Sequence, residues 1–144
     1  TVKRLPWPLI PFVLSMFVMI LPLTEKGITG DIGRLFGSSY PVLKYGISSF
    51  LSANIINNIP MSVLFCPIMN GLSGSALQQA LYATVIGSNL GAYLTPIGAL
   101  AGIMWSGLLK NHNVRFGYLD FVKYGVAISL PTLAVCLAVL ALVV

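Results

Sequence analysis

The chain has 144 residues, 57% of them apolar and 8% charged, with a net charge of +5. Globular domains carry about 25% charged residues, so a water-solvated surface is excluded, and the eight Lys and Arg are too scattered to track a nucleic-acid backbone. Three stretches lack any charge: Leu5 to Thr24 (20 residues), Tyr45 to Leu109 (65 residues) and Tyr124 to Val144 (21 residues). Roughly 20 apolar residues cross a bilayer as helix, so the composition describes an all-α integral membrane protein.

The first stretch follows Lys3 and Arg4, but its length and the lack of a small-residue cleavage site make it a retained span over 5–24 rather than a signal peptide. Pro6, Pro8 and Pro11 fall in its opening turns, where missing backbone donors cost least, and Trp7 is placed as an interfacial anchor. Polar linkers are expected over 25–40, 71–75 and 110–117. Thr1 at the start and Leu142, Val143 and Val144 at the end suggest a piece of a longer polypeptide.

The middle stretch could make three ordinary spans, yet its polar residues fall in the centres of its apolar segments. Asn54-Ile-Ile-Asn57-Asn58-Ile-Pro60 sets three amides and a proline halfway along the segment from Tyr45 to Asn70. Pro60 removes a hydrogen bond to residue 56 and disfavours helix at Ile59, so a break is expected there. Each arm has about 10 residues, or roughly 15 Å, half the hydrocarbon core. That predicts a re-entrant helical hairpin over 42–70. The rival is one proline-kinked span whose Asn54, Asn57 and Asn58 form a polar seam.

From Leu77 to Leu109 the chain would make a helix of about 50 Å, too long to cross without tilt or interruption. Gly87-Ser88-Asn89-Leu90-Gly91 and Thr95-Pro96-Ile97-Gly98 supply the interruption, so a discontinuous helix is expected over 76–109. Non-helical backbone at membrane depth is tolerated where it is buried in protein or lines a wet cavity. The rival is packing alone, because Gly87/Gly91 and Gly98/Gly102 have the small-xxx-small spacing. A final span is read over 120–144, anchored by Tyr118 and capped by Asp120.

Thr95 before Pro96 suits an N-cap and first helical position, and Asn58 before Ile59-Pro60 suits a second helix start. Both starts would aim partial positive charge at the breaks and hold an anion without Lys or Arg. The side chains of Asn54, Asn57, Asn58, Ser88, Asn89 and Thr95, with carbonyls freed at the breaks, are oxygen donors for a small cation. Interrupted helices of secondary transporters combine these features. The candidate substrate and ion site is therefore Asn54, Asn57, Asn58, Pro60, Gly87, Ser88, Asn89, Gly91, Thr95, Pro96 and Gly98.

Catalysis is excluded by the same reading. The only histidine, His112, sits in a polar loop beside Asn111 and Asn113, and all three acids lie outside the uncharged stretches. Cys66 and Cys136 read as packing residues, with no disulfide framework and no metal site.

Asn57-Asn58-Ile59-Pro60, Gly87 through Ala101 with its Leu94-Thr95-Pro96-Ile97-Gly98 core, Trp105, and Phe121-Val122-Lys123-Tyr124-Gly125 resemble the C-terminal half of arsenite permeases. The resemblance covers nearly the whole chain, including Pro6-Trp7 to Met16-Phe17. Arsenite permeases belong to the ion transporter superfamily, with dicarboxylate and citrate carriers and sodium/proton antiporters. The resemblance implies two inverted repeats, each with a re-entrant hairpin and a discontinuous helix, of which residues 1–144 are one. Many arsenite permeases carry an aspartate in the glycine-rich break where this chain has Asn89, which shifts weight toward a sodium-coupled or other anion carrier.

The expected function is half of a secondary transporter, multi-pass in the cell membrane, that moves a small anion or metalloid oxyanion by alternating access. Arsenite, antimonite and di- or tricarboxylates are the substrates considered, with Na+ or H+ as coupling ion and no cofactor. Its partners are membrane lipid, the other repeat, the substrate and a second copy as a homodimer, and no nucleic acid. The alternative is a non-transporting subunit that packs partner helices, with its amides paired and dry. An odd number of crossings in the middle stretch divides the basic residues five to three, an even number six to two, so the positive-inside rule mildly favours the hairpin's rival.

Overall fold

Helix is the only regular structure among the residues that the computed structural model describes, 9–112 and 114–144. In chain order these are α1 (Leu9–Glu25), α2 (Ile28–Phe36), α3 (Pro41–Ile56), α4 (Asn58–Ile68), α5 (Gly74–Gly91), a 3-10 turn (Pro96–Gly98), α6 (Leu100–Asn111) and α7 (Tyr118–Val143). Lys3, Arg4, Pro6, Trp7, Pro8 and Asn113 lie outside the described residues. By length and composition, α7 is the one described helix that is long and apolar enough to cross a membrane, with a mean hydropathy of 2.6 over its most apolar window.

The expected polar linker over 25–40 is corrected by α2. Ile32 and Phe36, one helical turn apart, pack on the core, while Asp31 and Arg34 form an exposed pair at 3.2 Å on another face. Its glycines lower helix propensity, yet Gly33 lets α2 lie on α4, since a Cβ there would sit 2.5 Å from the Ile68 carbonyl oxygen. Lys44 of α3 donates to the Phe36 carbonyl at the C-terminus of α2, where a cation is favoured.

Left-handed Tyr40 (φ 54) sets up α3, with Pro41 in its first turn. Tyr45 of α3 meets Phe36 of α2 edge-on at 5.2 Å and Phe65 of α4 at 6.4 Å. Tyr45 and Phe65 flank Asn57 in sequence, so their contact means that the chain reverses between α3 and α4. Helix α5 then lies against α3. Gly87 abuts Gly46 and Ser49, and Gly91 abuts Phe50 and Ala53, so residue numbers rise together and the two helices run in the same direction. Helix α7 runs the opposite way, with Gly125 on the Tyr93 carbonyl and Leu137 over Gly46. Asp120 caps it by accepting from the Gly117 N–H at 2.8 Å. The core is the seam of these helices: Tyr45, Phe50 and Ala53 of α3, Met61 and Phe65 of α4, Ala80 and Ala83 of α5, and Leu133 and Leu137 of α7.

Gly87→Ala tests this seam. The added methyl would lie 2.2 Å from the Gly46 carbonyl oxygen, a backbone atom that cannot swing away, and 2.1 Å from Ser49 Oγ. Overpacking of this kind costs about 1–3 kcal/mol. The melting midpoint of the full-length protein in detergent should fall, whereas Gly107→Ala, inside α6 with nothing within 4 Å of its added methyl, should leave it unchanged or slightly raised. Equal midpoints for the two variants would contradict the α3–α5 contact.

Candidate functional site

Two interruptions of helix meet in space. The first is a single residue, Asn57, between α3 and α4, with φ 69 and ψ 153, a conformation that residues other than glycine rarely hold. Asn57 is 2% exposed, and both ends of its amide are used. Its Oδ1 accepts from the Ile59 N–H at 3.4 Å, capping α4, and its Nδ2 donates to the Ile97 carbonyl at 3.2 Å. The cap is therefore Asn57 rather than Asn58, which becomes the first residue of α4. The helix ends ahead of Ile59, and Pro60, fully buried, falls within the first turn of α4, where its missing N–H has no helical partner to lose.

The second interruption runs from Ala92 to Ala99 and contains the 3-10 turn. Thr95 precedes that turn, but its hydroxyl does not cap it and instead donates to Asn54 Oδ1 at 2.8 Å. Asn54 Nδ2 in turn donates to the Phe50 carbonyl at 2.9 Å. Pro96 opens only a three-residue turn, and the longer helix α6 starts at Leu100 with Ala99 at its cap position. The expected helix start at Thr95-Pro96 is thus moved downstream. Asn54, Asn57, Thr95 and the Ile97 carbonyl form a clasp between the two breaks, hydrogen-bonded to one another and to the backbones of α3 and α4. Gly98 completes it: a Cβ there would lie 2.8 Å from the Gly91 carbonyl oxygen and 3.0 Å from Asn54 Oδ1.

Other candidate residues take different places. Gly87, Ser88 and Gly91 are buried within continuous α5, the glycines against α3, and Ser88 Oγ donates to the Val85 carbonyl at 3.0 Å. Asn58 and Asn89 line an open cavity of about 570 Å³ beside the clasp. Asn89 Nδ2 donates to the Val85 carbonyl at 2.8 Å, leaving its Oδ1 available, and the Asn58 amide has no hydrogen-bond partner among the described residues. The start of α4, at Asn58, and the first turn of α6, at Ala101 and Gly102, border the same space, so two helix N-termini lend it partial positive charge.

The remaining walls are Ala92, Ala99 and three aromatic side chains, Tyr93, Trp105 and Phe121, with no charged side chain in the lining. Trp105 meets Phe121 at 5.8 Å and Phe116 at 5.1 Å, both edge-on. Sequence reasoning missed this aromatic wall and the Ile97 carbonyl. Trp105 and Phe121 entered the sequence reading through the resemblance alone, with no site role, and a backbone acceptor has no side-chain signature. Amides in an apolar, aromatic pocket can exchange hydrogen bonds with the hydroxyls of a small solute but supply no counter-charge for a multiply charged one.

The family model for the arsenical pump membrane protein matches residues 1–144. Arsenical pump membrane proteins of Yersinia enterocolitica and Escherichia coli are 31% and 32% identical to the chain over 146 and 147 residues. That of Shigella flexneri is 32% identical over 146 residues. Each alignment takes in 95% of this chain and 34% of the relative, so the chain spans about a third of the length of these curated relatives. No solved structure matches it.

Proposed function

Because the chain belongs to the arsenical pump membrane protein family, which comprises integral membrane transporters and not enzymes, we propose that it forms one repeat of a secondary arsenite transporter. The observation that carries this reading is the cavity holding Asn58 and Asn89 beside two clasped helix interruptions. In this reading α3 and α4 form the re-entrant hairpin, within 42–70, and α5 and α6 are the arms of the discontinuous helix, within 76–109. The reversal at Asn57 and the shared direction of α3 and α5 support it, because α4 must return the chain to the side from which α3 began. Residues 5–24 and 120–144 are the flanking spans.

The candidate residues then divide by role. Asn58 and Asn89 bind substrate. Asn54, Asn57, Thr95 and Gly98 hold the breaks together, Pro60 and Pro96 shape the turns, and Gly87, Ser88 and Gly91 seat α5. Two neutral amides and two helix N-termini suit a small hydroxylated species such as arsenious acid or its monoanion better than a tricarboxylate. The substrate comes first to this chain through its family, and the uncharged lining is consistent with it. Coupling to Na+ or H+ completes the cycle, with the second repeat covering the open side of the cavity.

The packing-subunit reading needs all the amides paired and dry. Asn54 and Asn57 meet that condition; Asn58 does not. Full-length protein in proteoliposomes should move arsenite down an imposed gradient, with faster flux when a sodium or proton gradient is added. Arsenite flux equal to that of empty vesicles under every gradient would refute the transporter reading.

A further inference from the structure

A second cavity, of about 720 Å³, opens at the corner between α6 and α7, and its lining includes Ser106, Lys110, Arg115, Phe116 and Asp120. It shares no lining residue with the amide cavity, and it gathers two cations where the amide cavity has none. We propose that this corner binds the phosphate headgroup of an anionic phospholipid between Lys110 and Arg115.

The charges are available for a ligand. Among the described residues the one ion pair is Arg34–Asp31, so neither Lys110 nor Arg115 has a carboxylate partner. Asp120 also faces the cavity, but its Oδ2 is turned to the Gly117 N–H at 2.8 Å as the cap of α7. A guanidinium can take two phosphate oxygens in its fork while an ammonium adds a point charge. The start of α7, a helix of 26 residues, adds partial positive charge on the same side.

The surroundings favour a lipid over a free anion. Phe116 and Tyr124 stack at 6.3 Å, and the Lys123 ammonium lies 6.0 Å from the Tyr124 ring centroid. Aromatic and basic side chains so mixed at helix ends mark the headgroup level of a bilayer. Close by in sequence, Leu108 and Leu119 are 56% and 80% exposed, apolar surface on which acyl chains can lie while the headgroup sits at the corner. Basic pockets between membrane helices are suited to anionic headgroups.

The test uses the full-length protein in detergent, with adducts counted by native mass spectrometry and the melting midpoint followed. Phosphatidylglycerol should bind and raise the midpoint; phosphatidylcholine and millimolar inorganic phosphate should not. Lys110→Gln with Arg115→Gln should weaken phosphatidylglycerol binding at least ~tenfold. Lys26→Gln with Arg34→Gln, on other elements, should leave it within about twofold. Lys110→Arg with Arg115→Lys, which keeps the charge, should retain binding and so separate loss of the site from loss of folding. Undiminished binding by the double Gln variant would overturn the proposal. So would an inorganic phosphate effect equal to that of phosphatidylglycerol, which would make the ligand a free anion.

Discussion

Asn58→Ala and Asn89→Ala should each lower arsenite flux through the full-length transporter at least ~tenfold, with little change in melting midpoint. Each takes from the cavity one of its two amide side chains and leaves the apolar and aromatic walls in place. Leaving one buried polar group unpaired costs about 1–3 kcal/mol, and 1.4 kcal/mol is already tenfold, so a substrate hydroxyl that loses its amide partner should bind and cross poorly. Asn89 also loses its bond to the Val85 carbonyl, but that bond is local to an exposed position on α5 and contributes little to folding. The informative comparison is Asn54→Ala, which breaks the bond to Thr95 and should lower the midpoint as well as the flux. Wild-type flux in both Asn58→Ala and Asn89→Ala would remove the cavity from the transport path, whatever the rest of the fold does.

The breaks were legible because proline, glycine and amides are poor choices for a lipid-facing helix. Their exact places were not. Pro60 pointed to a break at Ile59, yet proline is tolerated in a first turn, and the reversal moved to Asn57, whose amide can both cap α4 and reach Ile97. The glycines at 87 and 91 read first as breakers, with packing as the rival. The close approach of α3 decides for packing, and α5 continues through both. Helix α2 was hidden because its polar and glycine residues outweigh Ile32 and Phe36 in composition, while its stability comes from the α4 surface that Gly33 lets it touch. Within the site, spacing singled out the amides but could not say which pair with protein and which face the cavity. That division depends on contacts some 40 positions apart in sequence, such as Asn54 with Thr95 and Asn57 with Ile97.

Asn57 offers the sharpest test of whether the helix is broken or merely kinked, because the two possibilities reverse the order of two simple variants. In a continuous helix, alanine is better than glycine by about 0.5–1 kcal/mol. At φ 69 and ψ 153 the preference inverts: alanine meets a strain of about 1–3 kcal/mol that glycine escapes. Both variants lose the cap on Ile59, worth about 0.5–2 kcal/mol, and both leave the Ile97 carbonyl without its Asn57 donor. The midpoints of the full-length protein should therefore fall in the order Asn57, then Asn57→Gly, then Asn57→Ala. Flux should fall with them, since the Asn57 amide is one of the two side-chain bonds joining the breaks. A more stable Asn57→Ala than Asn57→Gly would favour the kinked span, and with it the polar-seam account of Asn54, Asn57 and Asn58.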